Sequence, residues 1–169
     1  MINAKNNVYF WKVLEKNCFL SNWWICEIDY DGKKFVSSEQ LFMYLKAKLF
    51  YDDEVAEKIM QTSRQNEIKA LGREVKNFDE TIWNKHKYEL MFIANKAKFR
   101  LDYEITDMLL ATGDAQLVEA SPLDKIWGIG LDAETAENTP EEDWPGENLL
   151  GKVLMDVRDL IKHIKEQTK

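Results

Sequence analysis

The stretch from Leu150 to Ile164 constrains the fold most. Leu150, Val153, Leu154, Val157, Ile161 and Ile164 recur there at helical spacing and would form one apolar stripe on a helix. Such a stripe needs apolar partners, so the chain must build a packed core in which helices are a major layer. Residues 79–99 carry a second long helical pattern, with Trp83, Leu90, Ala94 and Ala97 on one side.

Shorter signals fill the remainder. Val8 to Val13 reads as a first strand. Trp24 to Val36 reads as a hairpin about Asp31-Gly32, with Ile25, Ile28 and Phe35 as inward residues. Ser37 and Gln40 make a capping box that starts a helix running to about Phe50, and Asp52 and Asp53 open another. Ser63 to Leu71 predicts a helix that stops at Gly72; Glu104 to Leu110 predicts one that ends at Thr112-Gly113-Asp114; Leu117 to Glu119 predicts a strand. The expected class is α+β: one mainly helical domain over residues 1–169, with a small antiparallel sheet or hairpin and no alternating βαβ pattern. Residues 132–147 are acidic and aperiodic, with Pro140, Pro145 and Gly146. They read as a solvated loop or as a lid.

Composition narrows the function. A net charge of −7 disfavours a protein that grips many phosphates through a broad basic face. No apolar run is long enough to span a bilayer, and Met1 to Phe10 lack the pattern of a secretory signal, so the expectation is a cytoplasmic protein with no membrane partner. The cysteines are Cys18 and Cys26, eight apart with no second pair, and the histidines are His86 and His163. That inventory predicts reduced thiols, with no metal and no cofactor. Six tryptophans suit packing and base-stacking pockets alike.

The chemistry concentrates first in Ser37 to Lys48. Glu39 and Lys46 stand seven apart, so on a helix both project from nearly one face, about 10 Å apart along the axis. Phe42 and Met43 lie between them on that face. A carboxylate and an amine over an apolar floor suit a catalytic face. Equally, Glu39 serves a helix dipole and Lys46 snorkels to solvent.

A second concentration is Ala120-Ser121-Pro122-Leu123-Asp124-Lys125-Ile126-Trp127-Gly128-Ile129-Gly130. Gly128 and Gly130 let backbone approach a ligand, Trp127 offers a stacking face, and Asp124 suits a sugar hydroxyl or base amine. Gly146 to Gly151 opens the helix over Leu150 to Ile164, and a helix N-terminus suits a phosphate. Ser21 and Asn22 sit in a polar loop ahead of Trp23 and Trp24.

The order of these motifs, FLSNWW, SSEQLFMYLKAKLF, IKALGREVKNFDETIW, ANKAKF, LLATGDAQLVEASPLDKIWGIGL and NLLGKVLMDVRDLI, resembles the NADAR family, also called YbiA-like. The resemblance runs from about Phe19 to Ile161. It departs after the glutamate, where many members carry His-Tyr-Phe-Gln and this chain carries Gln40-Leu41-Phe42-Met43.

The resemblance implies a hydrolase, an N-glycosidase cleaving the bond between ribose C1′ and an exocyclic base amine. Its substrate would be a small phosphoribosylated compound, the phosphoribosylamino-pyrimidine intermediates of riboflavin synthesis. The alternative is ADP-ribose on guanine in nucleic acid, reversing DNA ADP-ribosylation, and a non-catalytic ADP-ribose or nucleotide-binding module is a third reading. Glu39 and Lys46 would be the catalytic pair, acting through a Schiff base at Lys46 or through water activated by Glu39. Trp127 would stack on the base or line the sugar pocket; Ser21, Asn22 and Asp124 would bind ribose; Asn148 and Gly151 would border phosphate. Arg73 and Lys98 would be phosphate partners or structural salt-bridge residues. Trp24, Ser121, Gly128 and Gly130 complete the implied substrate-binding set.

Overall fold

The computed structural model describes residues 6–168. They divide into two compact units, Asn22–Lys98 and the residues up to Ser21 together with those from Phe99 on.

The first strand, β1 (Asn7–Phe10), precedes the unit from Asn22 to Lys98, and within that unit the hairpin is β2 (Ile28–Tyr30) with β3 (Lys33–Phe35). The hairpin pairs Ile28 with Phe35 and Tyr30 with Lys33. Asp31 and Gly32 both take positive φ, which gives the backbone twist that a two-residue turn between antiparallel strands requires. Ile28 and Phe35 are buried as expected, whereas Ile25 is 61 % exposed because it precedes the paired residues and no neighbouring strand covers it.

Helix α1 (Ser38–Leu49) begins where the capping signal places it: Ser37 Oγ accepts from the Gln40 amide. The Gln40 side chain reaches back to accept from the Val36 amide at 2.8 Å, and donates to the carbonyls of Ile59 and Thr62. It therefore also fixes the C-terminal end of α2 (Asp53–Met60), whose N-cap is Asp52. Helices α3 (Gln65–Arg73) and α4 (Glu80–Lys98) complete this unit, and α1 packs against α2, α3 and α4. Gly72 is not a helix stop. It lies inside α3, buried, where a Cβ would collide with Met43 Sδ and sit 3.0 Å from Met43 Cγ. Its missing side chain is what α1 packs against.

The other unit holds β1, α5 (Glu104–Ala111), β4 (Gln116–Glu119), α6 (Ala133–Glu137) and α7 (Leu149–Gln167). Here β1 pairs with β4 in parallel, Asn7 opposite Gln116 and Phe10 opposite Glu119. A sheet of hairpin type alone was expected; a parallel pair needs a long crossover, which here is everything between the two strands. The stripe on α7 is buried at Leu150, Val153, Leu154, Val157 and Ile161. Residues 132–147 are not aperiodic coil. They form α6, capped by Asp132, and a 3-10 turn at Glu141–Asp143. Ala136 packs with Val118 and Ile129, and the Trp144 indole donates to the Thr139 carbonyl.

Candidate active site

The catalytic pair expected from the sequence falls in the unit from Asn22 to Lys98. Glu39 lies in the first turn of α1 and is buried, although it bears a carboxyl group. Lys46 lies two turns on and is half-buried. Its Nζ donates to the Gly72 carbonyl at 2.7 Å. The Phe78 and Trp83 rings stand 5.0 and 5.1 Å from the same nitrogen, measured to their centroids. Burial is the main influence that pulls the Lys46 amine below the ordinary lysine range; the Glu39 carboxylate opposes it and the Arg73 guanidinium adds to it. Arg73, at the end of α3, is exposed and acts on Lys46 through its field. A lysine with a lowered proton affinity, on which a buried carboxylate of the same helix acts from two turns away, suits a nucleophile with an acid–base partner.

Asn22 turns inward. Its Oδ1 accepts from Ser38 Oγ at 3.0 Å and from Asn95 Nδ2 at 3.3 Å, its Nδ2 approaches Met91 Sδ, and its carbonyl accepts from the Glu39 amide. Its side chain is thus committed to holding the first turn of α1 against α4. Asn95, which motif reading passed over, is fully buried in the same network. Its place in the ANKAKF motif was the available signal. Lys98 is fully buried too, and its charge reaches Cys26, whose thiol is raised chiefly by burial and lowered in part by Lys98. Trp24 is half-buried.

The other candidates belong to the second unit. Ser21 is buried, and its amide donates to the Cys18 carbonyl. Asp124 Oδ1 accepts from the amides of Ile126 and Trp127 at 2.9 and 2.8 Å, and Ser121 Oγ accepts from the Leu123 amide, so both shape the turn that presents the half-buried Trp127. Gly128 leaves no room for a Cβ between the carbonyls of Asp124 and Glu119, and Gly130 has φ +73°.

The N-terminus of α7 is spent on protein. The amides of Asn148, Leu149 and Leu150 donate to the carbonyls of Gly128, Ile126 and Trp127. Asn148 is buried; its Oδ1 accepts from the Glu119 amide at 3.0 Å and its Nδ2 donates to the Leu117 carbonyl at 2.9 Å. A Cβ on Gly151 would collide with the Leu117 carbonyl oxygen. Asn148 and Gly151 therefore seat α7 on β4, and the amides of Asn148, Leu149 and Leu150 are already bonded to backbone carbonyls. A cavity of about 580 Å³ in this unit, lined by Asn7, Tyr9, Trp11, Asn17 and Asp132 among others, contains none of the expected site residues.

Among the described residues no cluster of three or more His, Cys, Asp or Glu side chains could hold a metal ion, and no helix is long and apolar enough to cross a membrane.

Known proteins bear on this arrangement. "N-glycosidase R617" of Acanthamoeba polyphaga mimivirus is 52 % identical over 126 residues, which are 75 % of this chain and 74 % of that protein. "N-glycosidase YbiA" of Escherichia coli is 32 % identical over 139 residues, covering 82 % of this chain and 78 % of its own. The NMR structure of E. coli YbiA matches with a TM-score of 0.77 at 28 % identity, over 95 % of this chain and 88 % of that one. The fold expectation, mainly helical with little sheet, agrees with that neighbour. The "Riboflavin biosynthesis protein VVA0006" of Vibrio vulnificus is 32 % identical over 152 residues, 90 % of this chain and 38 % of that protein. Relatives named N-glycosidases are hydrolases, the class expected from the motifs. The NADAR domain model matches residues 9–162. With nearly its whole length matched, the chain belongs to the NADAR domain family.

Proposed function

We propose that this protein is an N-glycosidase that hydrolyses the bond between ribose C1′ and the exocyclic amine of a heterocyclic base, with phosphoribosylamino-pyrimidines as its substrate class. The observation that carries this reading is Lys46, a half-buried amine held at 2.7 Å on a backbone carbonyl, with its proton affinity lowered and Glu39 acting on it from the same helix. The names of the relatives support the reaction type, and the riboflavin-related name supports the pyrimidine class.

A ribosylamine opens to an imine when the nitrogen lone pair displaces the ring oxygen. Glu39, as a carboxylic acid, gives that oxygen its proton. The neutral Lys46 amine then adds to C1′, forming a C–N bond. The proton it sheds passes through Glu39 to the nitrogen of the base. The bond from C1′ to the base amine breaks, and the electron pair goes to the leaving nitrogen. C1′ stays bound to Lys46 as a protonated Schiff base. Water adds to C1′ and the adduct collapses, returning the amine and releasing the sugar as an aldehyde. The balance is one water consumed, one base amine and one sugar released. No external oxidant or reductant is required.

The test is a side-by-side assay. The protein and its Lys46→Ala variant each receive a phosphoribosylamino-uracil and an oligonucleotide carrying ADP-ribosylated guanine. Release of free pyrimidine by the parent alone supports the reading. Release from the oligonucleotide only would move the substrate class to ADP-ribose on guanine. Equal activity of the variant would remove Lys46 from the mechanism.

A further inference from the structure

The lysine at the centre of that reading is enclosed by two aromatic residues to which the family resemblance assigns no role. Phe78 lies in the connection between α3 and α4, and Trp83 lies in the first turns of α4. Their ring centroids stand 5.0 and 5.1 Å from Lys46 Nζ, within the range where a ring face attracts an ammonium. The two rings belong to a continuous aromatic group: Phe78 meets Trp83 at 6.4 Å and Phe50 at 5.3 Å, and Trp83 meets Phe42 at 5.4 Å. Phe42 and Phe50 are buried and hold the rings from behind, while Phe78 is 47 % exposed. The Gly72 carbonyl supplies a third wall at 2.7 Å.

We propose that Phe78 and Trp83 are positioning residues for Lys46: with the Gly72 carbonyl they form a cradle that fixes its amine in one place and sets how readily it releases its proton. The inference rests on the glycosidase reading for its meaning in catalysis, and on geometry for the cradle itself. A lysine side chain has four flexible torsions and no preferred direction. An ammonium over two ring faces is confined by them to a narrow range of positions. Ring faces favour the charged form and burial favours the neutral one. The two influences oppose each other at the amine, so the rings temper the effect of burial. The charged groups that act on Nζ are Glu39 on its own helix and Arg73 on α3. The groups that face it from the 74–79 connection and from α4 are the two rings.

Removing a ring face while keeping apolar bulk takes away the attraction and leaves the burial, so the amine should release its proton at lower pH. The experiment is competitive labelling of the full-length protein with trace acetic anhydride across a pH series, read at the Lys46 peptide by mass spectrometry. The variants are Phe78→Leu, Trp83→Met and Trp83→Phe. Phe78→Leu, at a half-exposed position, keeps the test available if the Trp83 changes disturb folding. The expected result is a Lys46 midpoint lower by about half to one pH unit in Phe78→Leu and Trp83→Met. Trp83→Phe, which retains a ring face, should keep the midpoint close to that of the parent protein. In the ring-removing variants turnover should fall through kcat more than through KM, because the amine is no longer held in one place. An unchanged midpoint in both ring-removing variants overturns the cradle. Because labelling needs no substrate, a shifted midpoint in a protein that releases no base upholds the cradle and rejects the glycosidase reading alone.

Discussion

Lys46 Nζ and the Gly72 carbonyl oxygen are 2.7 Å apart, and this bond ties helix α1 to the last turn of α3. It exists because α3 carries no side chain at the point where Met43 lies against it. The same approach that buries Met43 brings a carbonyl to the amine one turn further along α1.

Gly72→Ala should therefore disturb Lys46, whose amine rests on the carbonyl of residue 72. The added methyl meets Met43 Sδ and Cγ, and overpacking of this kind costs about 1–3 kcal/mol. The expected effect on turnover is a fall of roughly tenfold from misplacing the amine. Met43→Ala removes the obstruction. The double variant should be less destabilised than the sum of the two single changes by at least about 1 kcal/mol, measured by urea unfolding. Simple additivity would place the Gly72 effect elsewhere.

Replacing Lys46 by Met should abolish base release, by about a thousandfold or more in kcat. The same change should make the protein more heat-stable at neutral pH. Burial holds the folded-state pKa of Lys46 below its unfolded value, so the folded state bears a cost for the charged amine. That cost is fully present below the folded pKa and disappears as pH rises through the unfolded, ordinary value. The gain in melting temperature should shrink accordingly in scans taken at rising alkaline pH.

Lys46 should release its proton at a midpoint below the ordinary lysine value, and Arg73 depresses that midpoint through its charge. Arg73→Gln should therefore move the Lys46 midpoint to higher pH when it is read by competitive acetic anhydride labelling without substrate. An unmoved midpoint with weakened substrate affinity would instead make Arg73 a substrate contact.

Asn148→Ala should cost about 2–4 kcal/mol in unfolding free energy, because it strands the Glu119 amide and the Leu117 carbonyl inside the protein. Asn148→Asp should recover only part: an aspartate accepts from the amide and repels the carbonyl. Substrate affinity of the folded fraction should be nearly unchanged, in contrast to what a phosphate contact would give.

Much of this was legible in the residues, for identifiable reasons. The α7 stripe and the Ser37 cap specify their elements locally, through periodicity and one side-chain bond. Glu39 and Lys46 share a helix, so spacing alone brings them to one face. What stayed hidden depends on partners distant in sequence. The parallel pairing of β1 with β4 carries no local signature. Gly72 reads as a stop until Met43 is seen against it. The structural partners of Asn22 and Asn148 lie far off in sequence, so the chain does not announce which groups these amides hold. Residues 132–147 hide a short helix because five residues are too few for a periodic pattern.

The central claim is that Lys46 bonds to C1′ during turnover, and borohydride trapping tests it most directly. Protein mixed with phosphoribosylamino-uracil and sodium borohydride should gain the mass of one reduced sugar phosphate, located by peptide mapping on Lys46 and missing from Lys46→Ala. A protein that turns over substrate under these conditions but carries no adduct at Lys46 contradicts the account.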